Sequence, residues 1–154
     1  MAKATFAAGC FWGVEESFRQ VQGVTATRVG YLGGSTDNPT YKQVCAGNTG
    51  HAEAVEVEFN PDEASYETLL ALFWTLHNPT TLNRQGPDRG SQYRSAVFTH
   101  DDEQHATATK SKEAAQANFS EPIVTEIAAA PTFWIAEEYH QQYLAKQGGG
   151  SCHT

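Results

Sequence analysis

Between Glu53 and His77 the hydrophobic pattern changes its period. In Glu53-Ala54-Val55-Glu56-Val57-Glu58-Phe59 the alternation has a period of two, which predicts a strand that ends at Asn60-Pro61. From Ala64 to His77, Tyr66, Leu69, Leu70, Phe73 and His77 recur at helical spacing and predict an amphipathic helix. A strand that runs straight into such a helix must bury both apolar faces, and the economical way is a sheet covered by helices. The flanking segments repeat the alternation. Strands are predicted at Lys3 to Ala8, Val24 to Leu32, Tyr93 to Thr99 and Ile123 to Ala128. Helices are predicted after Cys10 (Phe11, Val14, Phe18, Val21), from the Asp101-Asp102 cap to about Asn118, and over Trp134 to Lys146. The expected architecture is a two-layer sandwich with helices mainly on one face. The polar, Pro- and Gly-containing run from His77 to Ser91 is long enough to predict a functional loop.

With 154 residues, 40% of them hydrophobic and 18% charged, the chain can bury a core of its own, and one domain over residues 1–147 is expected. Gly148-Gly149-Gly150 opens an expected flexible tail, 148–154, that carries Cys152. A formal charge of -8 repels phosphate backbones and anionic lipids, so neither nucleic acid nor a membrane is the expected partner. Ala7-Ala8-Gly9-Cys10 has the form of a lipoprotein cleavage box, but no apolar segment precedes it. An odd number of cysteines, 3, widely spaced, argues for reduced thiols and a cytoplasmic location.

Cys10 falls between Gly9 and an apolar helix, and the unpaired N–H groups of a helix start favour a thiolate. Position alone leaves a packed structural cysteine equally open. The strand parity puts Glu53 with Val55, Val57 and Phe59, on the apolar side, where desolvation raises a carboxyl pKa and suits it to general acid work. A carboxyl at a strand end can also reach solvent. Cys152 lies beyond the glycines, and at about 3.5 Å per residue the tail reaches well over 10 Å, enough to bring a second thiol to a first; a harmless exposed thiol is the other reading. Cys45 is expected to be packed. No Cys-x-x-Cys or His-Glu-x-x-His spacing occurs, so a metal site is not expected. His51 is the candidate partner for a Cys–His hydrolase, and His77 is expected to be a hydrogen-bonded core histidine.

Gly9-Cys10-Phe11-Trp12-Gly13-Val14-Glu15 closely resembles the GCFWG motif of the A-class peptide methionine sulfoxide reductases. Pro39-Thr40-Tyr41, Thr49-Gly50-His51-Ala52-Glu53, His77-Asn78-Pro79-Thr80, the run Asp88-Arg89-Gly90-Ser91-Gln92-Tyr93-Arg94-Ser95 and Glu138-Tyr139-His140-Gln141 resemble the same family, in its order. The resemblance implies an α+β fold, a two-layer α/β sandwich related to the ferredoxin-like fold with a mixed sheet, and a redox cycle with no cofactor and no metal. It implies Cys10 as nucleophile on the sulfoxide sulfur and Glu53 as proton donor to its oxygen. Phe11 and Trp12 would form the methyl pocket, Tyr41, Tyr93 and Asp88 would bind or polarise the sulfoxide, Asp88 through water, and Cys152 would resolve the Cys10 sulfenic acid. The implied substrate is the S epimer of methionine sulfoxide, free and in proteins, and thioredoxin the implied reductant of a monomer that repairs oxidised proteins. A thiol peroxidase shares the two thiols but has no use for a methyl pocket. A binding module for oxidised methionine would keep its affinity after Cys10→Ser.

Overall fold

The computed structural model describes residues 2–47 and 49–146. The chain runs β1 (Ala2–Ala8), α1 (Phe11–Arg19), β2 (Val24–Leu32), α2 (Tyr41–Cys45), β3 (Ala52–Phe59) and α3 (Tyr66–Thr75). There follow a small hairpin of β4 (Arg84–Gln85) and β5 (Asp88–Arg89), then β6 (Ser95–Thr99), α4 (Asp102–Ala115), β7 (Glu126–Ala129), β8 (Trp134–Ile135) and α5 (Tyr143–Lys146). The main sheet has the order β7-β6-β1-β3-β2-β8. It is mixed: β7 joins β6 in parallel and the remaining pairs are antiparallel.

Strand alternation divides the core in two. Ala4, Phe6 and Ala8 of β1 and Val55, Val57 and Phe59 of β3 face Phe11, Val14 and Phe18 of α1 and Leu69, Leu70 and Phe73 of α3. Phe6 stacks on Phe18 with ring centroids 4.8 Å apart and meets Phe73 at 5.3 Å. The opposite face holds Ala7, Leu32, Ala52, Ala54, Ala96 and Phe98, and is covered by Ala130 and Phe133 from the stretch before β8. The helices that contribute to the larger cluster therefore lie on one face, as the sequence pattern predicts. Among the described residues no helix is long and apolar enough to cross a membrane.

Local chemistry sets the boundaries. Ser65 caps α3 by accepting from Thr68 N–H, which starts that helix later than Ala64, and Asp101 caps α4 through Gln104 N–H. Thr40 and Gln43 form a reciprocal capping box on α2. The predicted strand over Ile123 to Ala128 begins only at Glu126, because Ile123 N–H goes to the Gln116 side chain and Val124 N–H to the Pro79 carbonyl. Val21 lies beyond α1 yet still packs on the core.

The predicted helix over Trp134 to Lys146 is incorrect. Trp134–Ile135 is strand β8, paired with Tyr31 and Gly30 of β2, and only Tyr143–Lys146 is α-helical. Two glutamines account for the difference. The Gln141 amide accepts from Val29 N–H at 2.9 Å and donates to Val29 and Ala136 carbonyls at 2.9 and 3.0 Å, completing the edge of β2 as a strand would. Gln142, at φ 49°, donates its backbone N–H to the buried Glu15 carboxylate at 2.7 Å. These tertiary bonds outweigh a helical pattern that α5 alone retains.

Candidate active site

β1 delivers the chain to the site. It ends at Ala8, Gly9 turns at φ 94°, and Cys10 becomes the N-cap residue of α1 at 8% exposure. A positive φ of that size favours glycine, so the Gly9 that precedes the cysteine is required by the turn. The helix dipole places positive partial charge at Cys10, which favours an anionic sulfur.

β3 delivers the carboxyl. Its antiparallel register with β1 pairs Phe6 with Val55, and two further residues bring Glu53 level with Ala8. Glu53 is 1% exposed, so the strand-parity reading describes it and the solvent-reaching alternative does not. Its Oε1 accepts from the backbone N–H of Phe11 at 3.3 Å, beside Cys10 at the start of α1.

Aromatic rings close around this pair. Phe11 is buried and lies 5.7 Å from Tyr31 and 6.2 Å from Tyr41, centroid to centroid. Trp12 is half-buried, stacks on Tyr143 at 4.0 Å and faces Tyr41 at 6.4 Å. Burial raises the Tyr41 and Tyr93 hydroxyls far above their ordinary value, and the charge of Glu53 adds to the rise in both. Both phenols therefore stay protonated and act as hydrogen-bond donors. The charges of Asp88 and Cys10 add smaller contributions to the rise at Tyr93. Asp88 is half-buried in the β4–β5 hairpin, where it pairs with Gln85. The Gln85 amide in turn accepts from Asn78 N–H at 2.9 Å and donates to its carbonyl at 2.8 Å, so the predicted functional loop is braced from within. The structure thus brings together Cys10, Phe11, Trp12, Tyr41, Glu53 and Tyr93, with Asp88 alongside; Cys152 lies outside the described residues.

Three expectations about other residues meet different outcomes. Cys45 is exposed rather than packed, because the short α2 turns Val44 and, in part, Tyr41 toward the core. Burial of its sulfur nonetheless pushes the thiol pKa up, against hydrogen bonds from Tyr41 and Tyr93. His51 does not serve as a base for Cys10: Nδ1 accepts from Gly34 N–H at 3.1 Å, and Nε2 contacts the Thr36 carbonyl at 2.6 Å. A Cβ at Gly34 would run into the backbone of Thr49 and His51, so this staple depends on that glycine. His77 is hydrogen-bonded as expected, with Nδ1 2.9 Å from the Phe73 carbonyl and Nε2 2.7 Å from Ser95 Oγ.

Tyr31 and Glu137 were not singled out by the sequence, and His140 entered only within the Glu138–Gln141 segment, without a role. The Glu137 carboxylate accepts from Tyr31 OH at 2.9 Å and from Tyr41 N–H at 3.0 Å. Burial works against its charge, but these donors hold its pKa below the usual carboxylate range. A buried carboxyl, a cysteine at a helix start and an aromatic wall thus lie together at one end of the sheet. A sequence model of the peptide methionine sulfoxide reductase family matches residues 2–154. Peptide methionine sulfoxide reductase MsrA of Geobacter metallireducens is 60% identical over 154 residues, covering 99% of this chain and 95% of its own. The reduced form of Mxr1 from Saccharomyces cerevisiae superposes with a TM-score of 0.93 at 39% identity, covering 99% of this chain and 88% of that one. Mxr1 in complex with Trx2 superposes at 0.66 and 26% identity, covering 92% and 84%. The chain belongs to the peptide methionine sulfoxide reductase family and is an oxidoreductase with that activity.

Proposed function

We propose that the chain reduces the S epimer of methionine sulfoxide, free and in proteins, through a sulfenic acid on Cys10. The observation that carries this reading is the 3.3 Å hydrogen bond from Phe11 N–H to Glu53 Oε1, which ties a buried carboxyl to the start of the helix that Cys10 caps. A neutral sulfoxide is a poor electrophile. Protonation of its oxygen by Glu53, with Tyr41 and Tyr93 donating to the same oxygen and Asp88 acting through water, gives the sulfur positive character as the Cys10 thiolate approaches. Phe11 and Trp12 receive the methyl group. The Cys10 sulfur bonds to the sulfoxide sulfur, the protonated oxygen passes from that sulfur to Cys10 as the sulfur–oxygen and sulfur–sulfur bonds break, and methionine leaves with Cys10 as the sulfenic acid.

Cys152 then attacks that sulfur, a Cys10–Cys152 disulfide forms and water leaves. A thioredoxin dithiol reduces the disulfide and takes it over as its own. Support for this partner comes from Mxr1, solved in complex with Trx2. We assign the catalytic work to one domain, 1–147, with Cys152 supplied by a tail, 148–154. The order β6-β1-β3-β2, traversed as β1-α1-β2-β3-α3-β6, supports a relation to the ferredoxin-like split βαβ arrangement. Cysteine content supports a cytoplasmic location, and the family activity supports a role in repairing oxidised proteins for a chain we take to act as a monomer.

The test is a single-turnover reaction of prereduced enzyme with methionine S-sulfoxide, compared with Cys10→Ser. Wild type forms methionine, and Cys152→Ser forms methionine together with a dimedone-reactive species at Cys10. Methionine formation by the Cys10→Ser variant would refute the assignment.

A further inference from the structure

We propose that the β4–β5 hairpin is a docking surface for protein substrates, with Arg84 and Arg89 receiving acidic residues that flank an oxidised methionine. The inference deepens the reading above and rests on it for the place of the sulfoxide beside Tyr93 and Asp88.

The proposed reaction takes only Asp88 from the hairpin. Its register sets Arg84 directly opposite Arg89, and opposed residues of an antiparallel pair project on the same face. Both are exposed. Like charges placed opposite each other repel, so this pairing costs the hairpin stability. Among the described residues neither arginine forms an ion pair, and the cations that do are Lys3, Arg19, Arg28, Arg94 and Lys146. The chain has 18 acidic side chains for 10 Lys and Arg, so carboxylates are not scarce. Two adjacent guanidiniums that no carboxylate of the chain engages match a carboxylate brought from outside, which a guanidinium grips through two parallel N–H donors. Leu82, two residues before Arg84 and 71% exposed, offers apolar contact to the same ligand.

The surface is braced and lies next to the site. Gly90 N–H donates to the Asn83 carbonyl at 2.9 Å, which continues the ladder past Arg84 and Arg89. Buried Gln85 ties the hairpin to Asn78. The 3-10 turn over residues 91–93, which ends in Tyr93, packs against both strands. An extended peptide advances about 3.5 Å per residue, so the second or third residue from a methionine sulfoxide at Tyr93 reaches the arginines. The field of the whole molecule, at -8, opposes an acidic segment, so any preference for one belongs to the hairpin rather than to long-range attraction. The occupant is a short acidic stretch of an oxidised protein.

The experiment measures kcat/KM for blocked peptides in which a central methionine S-sulfoxide is flanked on both sides by paired aspartates, serines or lysines. Wild type is expected to favour the aspartate peptide over the serine peptide about fivefold at low salt, through KM, and to favour it over the lysine peptide as well. Most of that preference is expected to vanish at about 0.5 M salt. Replacing both Arg84→Gln and Arg89→Gln is expected to bring the aspartate-to-serine ratio to one or below. Lys110→Gln, which removes an exposed charge from α4, is expected to keep the wild-type ratio. A wild-type ratio of one or below, a ratio that survives the double replacement, or one that Lys110→Gln also abolishes overturns the proposal. A double replacement that raises KM for thioredoxin while the peptide ratio stays unchanged makes the hairpin a reductant surface and overturns it too. Wild type that reduces none of the peptides refutes the reading of the site together with the proposal, whereas turnover without a flank preference refutes the proposal alone.

Discussion

A carboxyl at 1% exposure is held against a large preference for water, and the proposed reaction uses it as the proton donor. Glu53 gains one backbone donor, Phe11 N–H, and sits beneath the start of α1. Glu53→Gln keeps the shape and a neutral donor but has no proton to give, and the single-turnover rate with methionine sulfoxide is expected to fall about 10² to 10⁴-fold. An unchanged rate would remove Glu53 from the reaction. Strand parity assigned this residue to the apolar face, because a period of two has only two faces, but left open whether its carboxyl reached solvent at the strand end. For Cys10, position left a reactive thiol and a packed cysteine equally open, and only the resemblance of the Gly9–Glu15 segment to a family motif separated them. The hydrogen bond from Trp12 to His140 was not legible: it spans most of the chain, and no local period encodes a contact at that separation.

At the scale of elements, the sheet face that carries the site depends on α1 and α3. Phe73 of α3 is 0% exposed and packs on Phe6. Phe73→Ala is expected to cost about 3–5 kcal/mol, measured by urea unfolding. Glu15 of α1 makes a second prediction. Its carboxyl is buried, and desolvation raises its pKa from the ordinary 4.5 against donors from Thr27 and Gln142. The folded state therefore holds this proton more tightly than the unfolded chain. The associated stability is present below pH 4.5 and is lost as pH rises through the raised value. Wild type should accordingly lose stability relative to Glu15→Gln from about pH 4.5 upward, and a constant difference across that range would contradict the assignment. Strands and helices with a clean period, β2 and α3 among them, were readable to within a few residues. The stretch after Trp134 was not, because Gln141 and Gln142 spend their hydrogen bonds on β2 and Glu15 rather than on a helix.

On the scale of the whole molecule, the proposed reaction needs two thiols to meet. Cys152→Ser should still release about one methionine per chain but fail to turn over with thioredoxin, as a sulfenic acid without a resolving thiol requires. Full thioredoxin-driven turnover in that variant would transfer the resolving role to Cys45, whose sulfur already lies against Tyr41 and Tyr93. The formal charge of -8 leaves the surface unsuited to polyanions and suited to a neutral or basic partner face. The most direct measurement mixes prereduced protein with methionine S-sulfoxide, and separately with the R epimer, without other reductant. It then counts methionine formed and maps disulfides by mass spectrometry. The account predicts about one methionine per chain from the S epimer alone, with Cys10 joined to Cys152. Well-folded protein that forms no methionine and keeps its thiols, or that reduces the R epimer equally, would contradict it.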